Sequence, residues 1–266
     1  MFFVWYNKGM EIITSKTNEK IVNAKKLLDK KFRDKTSRFL VETKKVIAEG
    51  VRAGLKIESL FVLHGNDNIF SSIDCPVYTV SNQVFKEISS TVSTDGFIAV
   101  FNKKVLEKSV PNGNFLVLDN LQNPDNFGAI LRTALATNFK DIYVINSVDE
   151  YNSKTIRASM GNQFFLNIMH INYEDIEILF KNKQLFAADM MGENIFKQKN
   201  LNENFGFVIG NEGNGISNEL KKYVKNFVSI PMENGVESLN ASISASVIMY
   251  YVFSNLKWVK SLILNY

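Results

Sequence analysis

Apolar residues along this chain recur at two spacings, one helical and one strand-like, and the two alternate from end to end. In residues 17–31, Ile21, Ala24, Leu27 and Leu28 fall at helical spacing among lysines, which predicts a basic amphipathic helix. The short apolar run FLVE at 39–42 suits a strand. TKKVIAEGVRAG predicts a helix that stops at Gly54, and SLFVL at 59–63 reads as a buried strand. PVYTV, NQVFKEISS and GFIAVF carry the alternation to about residue 102. The stretch that follows is charged, holds a Pro-Asn-Gly turn and lacks an apolar period, so a linker is predicted over 103–114.

A second series begins at Phe115. FLVLD, DIYVIN and QFFLNI read as strands separated by the helices NFGAILRTALATN and SKTIRASMG. The helix DIEILFKN, the strands QLFAADM and GFVIGNE, the helix ISNELKKYV and the strand FVSIPM follow, then a long apolar helix from about Leu239. Strands that are apolar throughout, alternating with helices, predict an α/β fold whose mostly parallel sheet is covered on both faces. The expected division is residues 1–102, the linker, and a second domain over 115–266.

Composition narrows the chemistry. With 266 residues, 45% of them hydrophobic and 22% charged, the chain has room for two ordinary soluble domains. One cysteine, Cys75, excludes an internal disulfide framework and makes an intracellular, cytoplasmic setting the default. His64 and His170 lie far from it and from each other, so no zinc-ligand spacing exists and no metal is expected. No apolar run approaches the roughly 20 residues that span a bilayer, and the opening MFFVWY is too short and lacks the basic region of a signal peptide. The net charge of +4, with basic residues concentrated between Lys20 and Lys56, fits an RNA partner as well as it fits a solvated helix face.

Parallel sheets bind ligands at the carboxyl ends of their strands, and three such ends carry unusual residues. After FLVLD comes NPDNFGAILRTA, a turn opening a helix that holds one arginine; read locally, Asn126 is its N-cap. VIGNEGNGIS is a glycine-rich turn with an acid, where backbone can approach a ligand. Its Gly210, Gly213 and Gly215 are spaced G-x-x-G-x-G, which excludes the dinucleotide fingerprint; Walker and nucleophile-elbow motifs are absent as well. The third is IPMENGVESLNASISA.

Together these segments resemble the SpoU (TrmH-like) family of S-adenosylmethionine-dependent RNA ribose 2′-O-methyltransferases, within the SPOUT superfamily. Asn126, Gly128 and Arg132 match its first motif, and Gly210, Glu212, Gly213 and Gly215 its second. Ile230, Pro231, Met232, Ser238, Leu239 and Asn240 match its third, and the likeness covers residues 115–255. The N-terminal part resembles the family's substrate-binding domain, through NAKKLLDKKFRDKTSRFLVE and STDGFIAV. It departs at Glu42-Thr43, where the family often has Glu-Gly, and at Asn123, where Asp before Pro is common.

The resemblance implies a deep trefoil knot in the C-terminal domain and a small α/β RNA-binding domain before it. It implies S-adenosylmethionine held at Gly210, Ile230 and Leu239, with Glu212 and Met232 beside it. It also implies a homodimer, for which the apolar helix after Leu239 is a candidate interface; a wholly buried core helix fits that helix equally well. The structured RNA is expected to be ribosomal. Arg132 is the expected catalytic residue, framed by Asn126, Glu212, Ser238 and Asn240, with Glu212 holding the arginine in place. Because a guanidinium stays protonated, orienting the hydroxyl and stabilising the alkoxide describes its role better than general base. A noncatalytic RNA- or ribosome-binding protein of the same fold, and a methyltransferase acting on tRNA, remain open alternatives. The opening MFFVWYNKG matches nothing in the family, so residues 1–9 are expected to be dispensable and to precede the natural start at Met10.

Overall fold

The computed structural model describes residues 11–66, 74–91, 94–198, 204–233 and 238–263, the last eight of these by backbone alone. Residues 1–9 lie outside that range. The chain forms two compact units that divide between Val105 and Leu106, with Tyr151–Arg157 grouped with the first.

The first unit runs α1 (Glu19–Lys26), α2 (Lys30–Thr36), β1 (Arg38–Glu42), α3 (Lys44–Arg52), β2 (Ile57–Leu63), β3 (Val77–Val80), α4 (Asn82–Ile88) and β4 (Phe97–Asn102). Its sheet has the order β1-β4-β2-β3, with β4 antiparallel to β1 and β2, and β3 parallel to β2. Ile21, Ala24 and Leu27 pack with Phe61, Val84, Phe85 and Ile98 in its core.

The single helix expected over 17–31 is two helices. Asp29 takes the Lys31 amide on its side chain at 2.7 Å and so starts α2, while the amides of Leu27 and Leu28 fall back to the carbonyls of Ala24 and Lys25. An Asp cap that competes for backbone donors outweighs the apolar period. Arg33, part of the basic run, fills the break: its Nη1 donates to the carbonyls of Leu27 and Leu28, each at 2.9 Å, and the side chain is buried. Much of the remaining positive charge is already partnered. Lys16 and Lys25 bond Glu87 at 2.5 and 2.6 Å and hold its carboxyl down at about 2, and Lys30 and Lys103 share Asp34. Burial, with Asp74 beside it, pushes the Cys75 thiol up to about 11, which suits a structural cysteine.

From Phe115 the chain runs β5 (Phe115–Asp119), α5 (Pro124–Ala136), β6 (Asp141–Ile145), α6 (Ser153–Ser159), β7 (Asn167–His170), α7 (Asp175–Leu179), β8 (Gln184–Asn194), β9 (Phe205–Ile209), α8 (Asn218–Lys221), β10 (Asn226–Ser229) and α9 (Ala241–Ile263), all but most of α6 in the second unit. Residues of α6 up to Arg157 group with the first unit, where Arg157 Nη1 donates to Ser90 Oγ at 2.9 Å. The six strands are ordered β10-β8-β9-β5-β6-β7, and every neighbouring pair is parallel. Leu116 and Leu118 of β5 face α5 and α9; Phe115 and Val117 face α7 and α8. Both faces of the sheet are therefore covered, as the apolar strands predicted.

Two local expectations fail here. QFFLNI begins as a 3₁₀ turn over Asn162–Phe165, because Gln163 turns inward to Ser159 and the Glu150 carbonyl, and β7 starts only at Asn167. Strand β8 runs four residues past QLFAADM, with a break against β10: Phe227 pairs with Ala187, but Val228 pairs with Glu193. The register shift leaves 188–192 out of the ladder with β10, Met190 and Met191 exposed, while Gly192 stays against the Phe227–Val228 backbone. Helix α9 buries Ala245, Ile248, Met249 and Val252 but exposes Ile243 and Tyr250, so it is not wholly buried. Among the described residues no helix is long and apolar enough to cross a membrane.

At the family's Glu-Gly position the chain solves a conformational problem with the wrong residue. Glu42 is buried and accepts from Ser89 Oγ at 2.9 Å, the Ser90 amide at 2.7 Å and Thr91 Oγ1 at 2.8 Å. Thr43, directly after it, sits at φ 74° and ψ 137° and makes no side-chain cap bond. A β-branched residue is strained in that region, which glycine occupies freely. Thr43→Gly is expected to raise the free energy of unfolding by about 1 kcal/mol, the strain relieved less the entropy a glycine loses. Urea unfolding measures it, and an unchanged or lower midpoint would show that the Thr43 side chain has offsetting contacts.

Candidate active site

Because all six strands of the second unit are parallel, the carboxyl ends of β5, β9 and β10 lie along one edge of the sheet. The three segments singled out by sequence start there.

The first opens α5. Its cap is Asn123, not Asn126: Asn123 Oδ1 accepts the amides of Asp125 at 2.8 Å and Asn126 at 3.2 Å, with Pro124 in the first turn. Two asparagines three residues apart could each cap this helix, and the proline suits the first helical position, which makes its predecessor the cap. Asn126 is thereby released from local duty. Buried within the first turn, it donates from Nδ2 to Glu212 Oε1 at 2.7 Å and accepts from Asn240 Nδ2 at 2.9 Å. Asn240 Oδ1 in turn accepts the amide and hydroxyl of Ser242 at 2.9 and 2.7 Å, at the start of α9. Three residues from three segments, 86 and 114 positions apart, thus form one hydrogen-bonded chain.

Arg132 stands apart from it. Glu212 is committed to Asn126 rather than to the arginine, because six residues along a helix rotate a side chain by roughly 120° and move it about 9 Å along the axis. Arg132 is exposed and has no hydrogen-bond or ion-pair partner among the described residues. Its neighbour Thr133 meets Ser246 of α9, hydroxyl to hydroxyl, at 3.0 Å. Ser238 is exposed two residues before Asn240, with no side-chain bond to the frame among the described residues.

The second segment is a closed turn. Asn211 and Gly215 exchange both backbone hydrogen bonds at 2.9 Å, and Asn211 Oδ1 accepts the amides of Gly213 and Asn214 at 2.9 and 3.2 Å. A Cβ on Gly210 would lie 2.3 Å from the carbonyl carbon of Gly215, so glycine is required there by the turn's own backbone. A Cβ on Gly213 would make only an ordinary contact, 3.6 Å from Asn211 Oδ1, and Gly215, at φ 65°, faces open space.

Sequence reasoning missed what anchors this turn. Asp119, the last residue of β5, is fully buried; its Oδ2 accepts the Ser217 amide at 2.7 Å, and its Oδ1 accepts Asn120 Nδ2 at 2.7 Å and the Tyr173 hydroxyl at 2.9 Å. Asn211 Nδ2 donates to the Asn120 carbonyl at 3.0 Å. The available signal was an acid closing an otherwise apolar strand, since a buried carboxylate must find donors.

The third segment contributes apolar surface. Ile230 packs against the core, and Met232 and Leu239 are half-buried. No lysine or arginine occurs in 210–217, 230–232 or 238–242. Glycine backbone with half-buried aliphatic side chains and no fixed cation suits a heterocycle held by edge and face, and suits a phosphate poorly. S-adenosylmethionine fits that donor set.

Known proteins resemble this chain in sequence and in fold. The model of the SpoU rRNA Methylase family matches residues 113–250, and that of the MRM3-like substrate binding domain matches residues 18–99. The 23S rRNA (guanosine(2553)-2′-O)-methyltransferase RlmP of Bacillus subtilis is 26% identical over 250 residues, covering 91% of this chain and 99% of that protein. A solved RNA 2′-O ribose methyltransferase superposes with a TM-score of 0.80 at 29% identity, covering 92% of this chain and 99% of the other. The AdoMet-bound rRNA methyltransferase from Sinorhizobium meliloti gives 0.82 at 23% identity, with coverage of 93% and 98%, a likeness of fold. With all three strand-end segments inside the matched region and joined at one sheet edge, the chain belongs to the SpoU rRNA methylase family.

Proposed function

We infer that this protein transfers a methyl group from S-adenosylmethionine to a ribose 2′-hydroxyl of structured RNA, and we propose ribosomal RNA as the substrate. The observation that carries this reading is the Asn240–Asn126–Glu212 chain, which ties the three family segments into one frame. The family match and the rRNA activity named for the Bacillus subtilis relative support it. An rRNA substrate makes the cytoplasm the proposed setting.

Bound along this edge, S-adenosylmethionine supplies an electrophilic methyl carbon. The residues of the chain have three tasks. Backbone at Gly210, Ile230 and Leu239, with Met232 beside it, holds the cofactor, while Glu212 keeps the turn against Asn126. The ribose oxygen has to be held in line with the methyl carbon; as the O–C bond forms the methyl–sulfur bond would break, S-adenosylhomocysteine would leave, and the hydroxyl proton would pass to solvent. Arg132 orients that hydroxyl and stabilises the alkoxide, with Ser238 and Asn240 completing the polar surround.

We further propose that the site is finished by a second copy of the chain, in a two-fold dimer built on the α5–α9 face. Support comes from Arg132, exposed and unpartnered among the described residues, and from Ile243 and Tyr250, apolar and exposed on α9. A deep trefoil knot, formed as the segment carrying β10 and α9 threads past the chain before it, belongs to the same proposal.

Three measurements test these statements. Purified protein with labelled S-adenosylmethionine should methylate ribosomal RNA at a ribose; label in tRNA alone would overturn the substrate class, and no label in any RNA would favour the noncatalytic alternative. Arg132→Ala should cut single-turnover methylation about 10²-fold with calorimetric cofactor affinity and melting temperature nearly unchanged, and Arg132→Lys should restore little of it. A wild-type rate in the alanine variant would return Arg132 to the helix surface. Light scattering should give twice the chain mass of 30.3 kDa, consistent with an interface of about 1,200–2,000 Å²; full activity from a monomer at high dilution would refute the shared site.

A further inference from the structure

We propose that Asp119 and Tyr173 act together as positioning residues that set the 211–217 turn, and through it the affinity for S-adenosylmethionine, without touching either substrate. The inference rests on the reading of this turn as part of the cofactor site.

Both ends of the turn are fastened to the two residues that close β5. Its end is held by the Ser217 amide on Asp119 Oδ2, at 2.7 Å, and its start by Asn211 Nδ2 on the Asn120 carbonyl, at 3.0 Å. Of those two residues, Asn120 is held in a left-handed conformation. Asn120 has φ 56°, and its Nδ2 is shared between Asp119 Oδ1 at 2.7 Å and the Tyr173 oxygen at 3.1 Å. Tyr173 lies in the segment after β7, the edge strand two places from β5, and its hydroxyl closes the triangle by donating to Asp119 Oδ1 at 2.9 Å. The turn that carries Glu212, Gly213 and Gly215 is therefore referenced to a fully buried carboxylate whose three donors come from three parts of the chain. An apolar residue would serve a purely structural strand end at lower desolvation cost. What a carboxylate adds is two acceptor oxygens with fixed directions, one for the turn and one for the Asn120–Tyr173 pair.

Asp119→Asn exposes that requirement with little change of volume. An amide has one acceptor and one donor end, so it can face the Ser217 N–H or the Asn120 Nδ2 with its oxygen, but not both. The expected result is a 10-fold or greater loss in S-adenosylmethionine affinity by calorimetry. The single-turnover rate at saturating cofactor should stay within about 3-fold, and the RNA KM should not change. Tyr173→Phe removes one hydroxyl and leaves the Ser217 bond in place; it should weaken cofactor binding about 3-fold. The double variant should bind no more weakly than Asp119→Asn alone, because residues that act as one unit are not additive. A wild-type cofactor affinity in Asp119→Asn, or a loss confined to RNA binding or to the saturated rate, overturns the proposal. If Asp119→Asn does not fold, Tyr173→Phe decides alone: weaker cofactor binding supports the proposal and unchanged binding overturns it. Absence of cofactor binding by the wild-type protein would instead sink the reading of the turn.

Discussion

The arrangement at the sheet edge depends on one amide, the side chain of Asn126. It carries a donor and an acceptor on a single rigid plane and uses both, giving Nδ2 to Glu212 and taking Asn240 Nδ2 on Oδ1. Aspartate there would set two carboxylates against each other, and a hydroxyl would be too short to span both partners. The direction of the whole chain is set from its far end. Asn240 Oδ1 is occupied by Ser242, so only its Nδ2 can face Asn126, and the donors run in one sense until they end on the Glu212 carboxylate. Aligned donors of this kind polarise one another, and the last bond, to a charged acceptor, is the strongest.

That amide is free only because Asn123 does the capping. Here lies the main limit on what the sequence could tell. Two candidate caps three residues apart are nearly equivalent in propensity, and which one is used depends on where Pro124 falls in the helix. Architecture was more legible. Short apolar runs rich in β-branched and aromatic residues, such as FLVLD and DIYVI, fit strands covered on both faces, and both are central strands of the parallel sheet. The site motifs were legible as residue types but not as partners: Glu212 was expected on Arg132 and lies on Asn126. Pairings between residues 86 to 114 apart leave no local periodic trace, and neither does Asp119 with its donors 54 and 98 residues away. The break at Asp29 and the register shift over 188–192 escaped for the opposite reason, since each interrupts a period that continues on both sides.

Charge in the first unit teaches the same lesson about counting. Its basic run suggests a uniform cationic face, yet Arg33 is spent on two carbonyls inside the fold, and Lys16, Lys25, Lys30, Arg38 and Arg52 are paired with acids. Exposed pairs of this kind contribute little to stability and are readily exchanged for phosphate, because the lysines keep most of their hydration. An RNA held on this unit would meet less free charge than the count of lysines, and displacing the paired acids would make its binding depend on salt.

Arg132 poses a sharper electrostatic problem. The frame of Asn126, Glu212 and Asn240 makes no bond to the arginine, which is exposed on another side of α5. In water at an effective dielectric near 80, a cation 4 Å from a developing alkoxide contributes only about 1 kcal/mol, too little for a transition-state role. The same geometry at an effective dielectric near 20 gives about 4 kcal/mol, the scale of a 10²- to 10³-fold effect. The difference lies entirely in the exclusion of water from around the guanidinium. A single chain leaves Arg132 exposed, so a catalytic Arg132 requires a second surface laid over the exposed side of α5 that lowers the dielectric there.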